Sequence, residues 1–168
     1  HLGGGVGKAL STLVEASANF DIEHAFVLFE DHEKNQFIEK ISKFGAKVSI
    51  RPHSAAAMKM INDTDIVQLE WWNHPATFKF LCENNLPELR MLIWSHVSGL
   101  FTPIIPSGLI ELSDRFIFSS SCSYEAKNIT VLNDELKTRL GVVSSGVGFV
   151  KPKLKTFITN SNLRAGYM

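Results

Sequence analysis

The chain has 168 residues, with 17 Lys+Arg against 17 Asp+Glu and hence no formal net charge; 45% of it is hydrophobic and 20% charged. That apolar content excludes intrinsic disorder. The lack of a basic excess argues against a nucleic-acid binder, which needs cations to displace phosphate counterions.

Cys82 and Cys122 are too few and too far apart for a disulfide framework or a zinc site, and both are expected as buried thiols. No apolar stretch reaches the ~18–20 residues that span a bilayer, and no signal-peptide pattern is read. The expected location is cytoplasmic, with peripheral membrane attachment left open.

In chain order, a glycine cluster comes first, Gly3-Gly4-Gly5-Val6-Gly7-Lys8-Ala9. Such clusters normally follow a β-strand, so a first strand is expected ahead of it. Leu10, Leu13 and Val14 then sit at helical spacing. Residues 24–29 form a short continuous apolar run, the pattern of a strand covered on both faces. Phe37, Ile38, Ile41 and Phe44 form a helix stripe, which Gly45 is well placed to end in a left-handed conformation. Residues 47–50 read as a strand, 54–62 as a short helix and 65–69 as a strand.

Pro75 suits the first turn of the next helix, with Phe78, Leu81 and Cys82 expected to face one way. Residues 90–94 are the next strand. A Gly/Pro-rich loop follows to Ser107, and residues 115–118 are a strand. Ser119, Ser120 and Ser121 can cap a helix behind it, with Glu111 and Asp114 expected at a solvated helix end. Residues 139–143 lead to a sixth short strand.

Strands alternating with helices at this spacing mean right-handed βαβ units. The expected fold is α/β, a doubly wound, mostly parallel sheet with helices on both faces. Residues 1–150 form this Rossmann-like domain. Residues 151–168 read as a linker and the start of a second domain.

Ligands of such folds bind outside the carboxyl ends of the strands, so the residues of the loops there carry the chemistry. In the glycine cluster, backbone N–H groups and a helix N-terminus can approach an anion. A phosphate-binding P-loop would need G-x-x-x-x-G-K-[ST], but Leu2 replaces the first glycine and Ala9 the magnesium-binding hydroxyl. The favoured reading is a loop that lets a substrate lie against the backbone of Gly4, Gly5, Val6 and Gly7; the plainer one is a tight turn without a ligand. His96, directly after a strand, can bind a sugar hydroxyl or shuttle a proton. In Glu70-Trp71-Trp72-Asn73-His74, one indole can stack on a sugar face while the other packs into the core; Trp71 is taken as the binding ring and Glu70 as a base or hydroxyl acceptor, with a solvated carboxylate the plainer reading of Glu70. Ser119 can meet an anion. No Ser-His-Asp order, H-E-x-x-H or C-x-x-C motif supports a hydrolase or metalloprotease.

Taken together these loops resemble the N-terminal domain of the GT-B glycosyltransferases, specifically glycosyltransferase family 4. The features that match are the glycine loop Gly4-Gly5-Val6-Gly7, the strand Asp65-Ile66-Val67-Gln68-Leu69, and Ser95-His96 with Gly99. The serines from Ser119, and the turn Ser144-Ser145-Gly146-Val147-Gly148-Phe149, complete the set. Ser145 and Gly148 depart from the Asn and Asp usual in that last turn. The family's paired-glutamate motif belongs to the C-terminal domain and is absent here.

The resemblance implies transfer of a sugar from a nucleotide sugar to a carbohydrate, lipid-linked or other acceptor, usually with retention and without a metal or other cofactor. This chain would be the acceptor-side half, partnered by its own C-terminal domain and inactive alone. His96 would contact the transferred sugar, and Gly146 would join the substrate-binding residues. The alternatives are a fragment of a deviant Walker-A partition-type ATPase and a non-catalytic flavodoxin-like binding module.

Overall fold

The computed structural model describes residues 2–31 and 35–144. It is an α/β structure of parallel sheets flanked by helices. In order these are α1 (Gly4–Ser17), β1 (Ala25–Leu28), α2 (Gln36–Lys43), β2 (Lys47–Ile50), α3 (Ser54–Asn62), β3 (Ile66–Trp71), α4 (Pro75–Glu83), β4 (Arg90–Ser95), α5 (Ser107–Leu112) and β5 (Arg115–Phe118). A 3-10 turn (Ser121–Glu125), α6 (Lys127–Thr130), α7 (Asp134–Lys137) and β6 (Leu140–Val142) complete the described part.

The strands form two parallel groups, a pair β1-β2 and a four-stranded sheet in the order β3-β4-β5-β6. Helical crossovers connect successive strands, as parallel pairing requires. The β3–β4 register sets Glu70 beside Trp94 and Trp71 beside Ser95.

Each group has its own core. Leu2, Leu10, Val14, Leu28, Ile41 and Ala46 pack α1 and α2 against the β1-β2 pair. The larger core joins Trp71, Met91, Ile93, Phe116 and Phe118 to Ile105, Leu109, Ile110 and Ile129 from the following helices and loops. Alternation decides membership: in β4, Met91, Ile93 and Ser95 are buried while Leu92 and Trp94 stay half-buried on the opposite face. Burying a side chain such as Ile93 or Phe116 contributes about 1.5–3 kcal/mol.

Several local expectations hold. Gly45 follows α2 with φ +82 and donates to the Ser42 carbonyl, ending the helix in the left-handed region. Pro75 opens α4, and the His74 ring accepts from Ala76 N–H.

Others are corrected. In α4 the inward residues are Thr77, which is buried, and Leu81, which packs on the larger core, while Phe78 and Cys82 are exposed. Phe80 instead meets Phe29, ring centroids 4.9 Å apart. Cys82 is exposed and Cys122 half-buried, so neither is the buried thiol expected. Asp114 is not merely solvated: its Oδ2 accepts from Met91 N–H at 2.7 Å and so fixes the start of β4. Ser120 precedes the 3-10 turn without a side-chain cap. In the loop after β4, Ile105 is buried but Phe101 and Ile104 are exposed.

Among the described residues no helix is long and apolar enough to cross a membrane.

Candidate functional site

The first question is whether the candidate loops share one edge. Ser17, at the end of α1, bonds the His24 ring at 2.7 Å just ahead of β1. Gly7, near the other end of α1, packs against Phe37 at the start of α2, the helix that follows the carboxyl end of β1, so the glycine start of α1 lies toward that end of the strand. From just past that end, Glu30 reaches the His74 Nε2 beyond β3 at 3.1 Å. Glu70 is the penultimate residue of β3, and His96 and Ser119 directly follow β4 and β5 at the same edge, which brings the candidates from the glycine loop to Ser119 onto one rim.

His96 is built by the pleat. Its backbone N–H continues the ladder to the Trp71 carbonyl at 2.8 Å. Counting by twos, Gln68, Glu70 and Trp72 from the β3 line share a face with Leu92, Trp94 and His96 from the β4 line. On that face His96 Nε2 lies 2.5 Å from Glu70 Oε2, and the second carboxylate oxygen accepts from Gln68 Nε2 at 2.5 Å. The His96 and Glu70 side chains are only 9% and 15% exposed. Indole rings flank the imidazole, Trp94 at 5.1 Å and Trp72 at 6.3 Å between centroids.

A carboxylate facing Nε2 favours the tautomer with the proton on that nitrogen, since a carboxylate only accepts. In that tautomer Nδ1 is a lone-pair acceptor on the side of Ser119, whose Oγ is 3.5 Å away. Ser119, His96 and Glu70 are the residue types of a nucleophilic triad, yet the proton path differs. The Ser119 hydroxyl donates to the Ser95 carbonyl at 2.6 Å, so it anchors β5 to β4 and its proton is not directed at Nδ1.

Trp71 is corrected as a binding ring. It is fully buried, turned to the opposite face among Met91 and Ile93. The half-buried Trp72, beside both His96 and His74, is the indole at the rim.

The glycines of the first loop divide by role. Gly4 takes φ +55, a conformation that other residues rarely adopt, and a Cβ on Gly4 or Gly5 would touch nothing within 4 Å. Gly7 is different, because a Cβ there would stand 2.7 Å from Phe37 Cδ2 and 3.1 Å from the Leu2 carbonyl carbon. Gly7 is therefore accounted for by the packing of α1 on α2, whereas Gly4 and Gly5 leave an open backbone surface. Gly3 gives α1 no side-chain cap, so the first N–H groups, of Gly4, Gly5 and Val6, point past the helix end. Lys8 is exposed and Ala9 buried, which puts no hydroxyl where a magnesium-bound phosphate would need one.

Gly146 and the rest of the Ser145–Phe149 turn, together with residues 151–168, lie outside the described residues. Among the described residues, no three His, Cys, Asp or Glu side chains converge as metal ligands.

The sequence reading named His96, Glu70 and Ser119 separately. It did not identify Trp94 or Gln68 as their neighbours. The signal was there in the two-residue spacing of Gln68, Glu70 and Trp72, and of Trp94 and His96, once the two segments are read as adjacent strands. Comparison with known proteins found no matching family model, no matching curated protein and no matching solved structure.

Proposed function

We propose that this domain is the acceptor-side half of a glycosyltransferase that moves a sugar from a nucleotide sugar to an acceptor. The observation that carries the reading is the Glu70–His96 pair, set between the Trp72 and Trp94 rings on the same rim as the open glycine loop. Aromatic faces suit the apolar face of a sugar. A neutral imidazole suits a sugar hydroxyl, as donor or acceptor.

In this reading Glu70 positions His96, and His96 Nδ1 contacts the transferred sugar or takes a proton from the attacking hydroxyl. Transfer passes through an oxocarbenium-like state with a departing diphosphate. The N–H groups of Gly4, Gly5 and Val6 would face that leaving charge, with the remainder of the donor site supplied by a second domain. The resemblance of the loop series to glycosyltransferase family 4 supports the same class.

The binding half of this proposal is tested on the chain alone. Titration with methyl glycosides and with nucleotide sugars, followed by indole and imidazole NMR signals, is expected to move Trp72, Trp94 and His96 before any core tryptophan. Shifts confined to residues remote from this rim contradict it.

A further inference from the structure

We infer that His74 is a positioning residue of the rim: held at both ring nitrogens, it fixes the Trp72 indole beside His96 as a ready-made sugar platform. For its ligand the inference rests on the sugar-binding reading above; for its geometry it does not.

His74 lies just before α4. Its Nδ1 accepts from the Ala76 N–H at 3.2 Å, satisfying one of the donors left free in the first turn of that helix. A backbone amide can only donate, so Nδ1 carries no proton, and the neutral ring carries its proton on Nε2. That nitrogen lies 3.1 Å from Glu30 Oε2 and donates to it. One nitrogen is thus engaged by the backbone of α4 and the other by a carboxylate that follows β1. The ring is held in a single orientation, with its side chain only 19% exposed.

That fixed ring meets Trp72 edge to face, centroids 6.0 Å apart and planes at 66°, a favoured geometry for aromatic pairs. Between the two residues Asn73 takes φ +62, a left-handed turn that Asn tolerates better than most residues. Trp72 also neighbours the His96 ring at 6.3 Å. The indole is therefore in contact with two imidazole–carboxylate pairs, Glu30–His74 and Glu70–His96. The first pair also ties the β1-β2 group to the four-stranded sheet, next to the packing of Phe29 on Phe80. A half-buried indole that is already held loses less side-chain freedom when a sugar stacks on it.

The test uses the 168-residue chain with its indole and imidazole NMR signals assigned. His74→Asn is the informative variant, because Asn is among the best helix caps and removes the ring while keeping the start of α4. It is expected to leave the urea midpoint close to that of the unaltered chain. The nuclear Overhauser contact between the Trp72 and His96 rings should disappear, and the Trp72 indole N–H should lose order on the ps–ns timescale. Glu30→Ala is expected to loosen the indole in the same way. Glu30→Gln, whose amide oxygen still accepts from Nε2, is expected to leave it held. A residue that only filled space would not distinguish those two variants. Methyl glycoside affinity is expected to fall about two- to tenfold in His74→Asn, the cost of ordering one freed side chain. A Trp72 indole that stays ordered beside His96 in His74→Asn overturns the inference, as does equal order in Glu30→Ala and Glu30→Gln. Both signals are read without ligand. If no glycoside binds the unaltered chain, the sugar-binding reading fails, and these signals still decide the role of His74.

Discussion

Glu70 Oε2 and His96 Nε2 meet at 2.5 Å across 26 residues of sequence. The contact exists because β3 and β4 are adjacent and in register, each ending at the same rim. It turns two isolated polar residues into a hydrogen-bonded pair in which a carboxylate favours the imidazole tautomer with its proton on Nε2 and leaves Nδ1 on the side of Ser119. The other carboxylate oxygen is bound by Gln68, so the carboxylate itself is held in place.

The first expected outcome concerns the tautomer. Nitrogen-15 NMR of the imidazole should show Nε2 protonated and Nδ1 bare in the neutral form. Glu70→Gln should disturb that preference and lower turnover by up to about 10⁴-fold while the fold persists. An unchanged tautomer in the variant would reduce Glu70 to a structural neighbour.

The glycine loop gives a paired outcome. Gly7→Ala puts a methyl group against Phe37 and the Leu2 backbone and should cost about 1–3 kcal/mol, read as a lower urea midpoint. Gly5→Ala meets nothing within 4 Å and should leave stability unchanged or raise it by up to ~1 kcal/mol. If the loop contacts donor phosphates, the same Gly5→Ala variant raises KM for the nucleotide sugar. A stable variant with unaltered kinetics would take the loop out of the site.

Legibility in the sequence varied with the range of the interaction. The strands were readable because short apolar runs bounded by turn residues announce them locally, and the observed β1, β2, β3, β4 and β5 fall on those runs. The inward face of α4 was not, because Phe78 and Cys82 look apolar while the helix turns Thr77 and Leu81 inward. Trp71 and Trp72 pose the same problem in miniature. Neighbours on a strand face opposite ways, and only the register beside Ser95 and Met91 says which one is core. The Glu70–His96 pair was invisible for a stronger reason, since strand adjacency is a property of topology and not of either segment.

Core packing supplies a third outcome. Ile93 has no exposed surface and lies at the centre of the larger core. Ile93→Ala should therefore cost about 2–5 kcal/mol. Leu112 is 47% exposed, and Leu112→Ala should change stability far less. Equal losses in denaturant unfolding would contradict the assignment of the core.

Surface chemistry gives a fourth. Cys82 is exposed and Cys122 only half-buried, so an alkylating reagent should label Cys82 first in the native state. Faster labelling of Cys122 would contradict the orientation of α4.

The most direct measurement is sugar transfer itself. A polypeptide in which this domain is joined to the donor-side unit that the proposed function calls for is incubated with nucleotide sugars and acceptors, and the product is followed by mass spectrometry. The expected result is transfer by the unaltered protein and a loss of about 10²–10⁴-fold in His96→Ala, with an intact fold by circular dichroism. Transfer undiminished by His96→Ala would contradict the assignment of this rim as the site of sugar transfer.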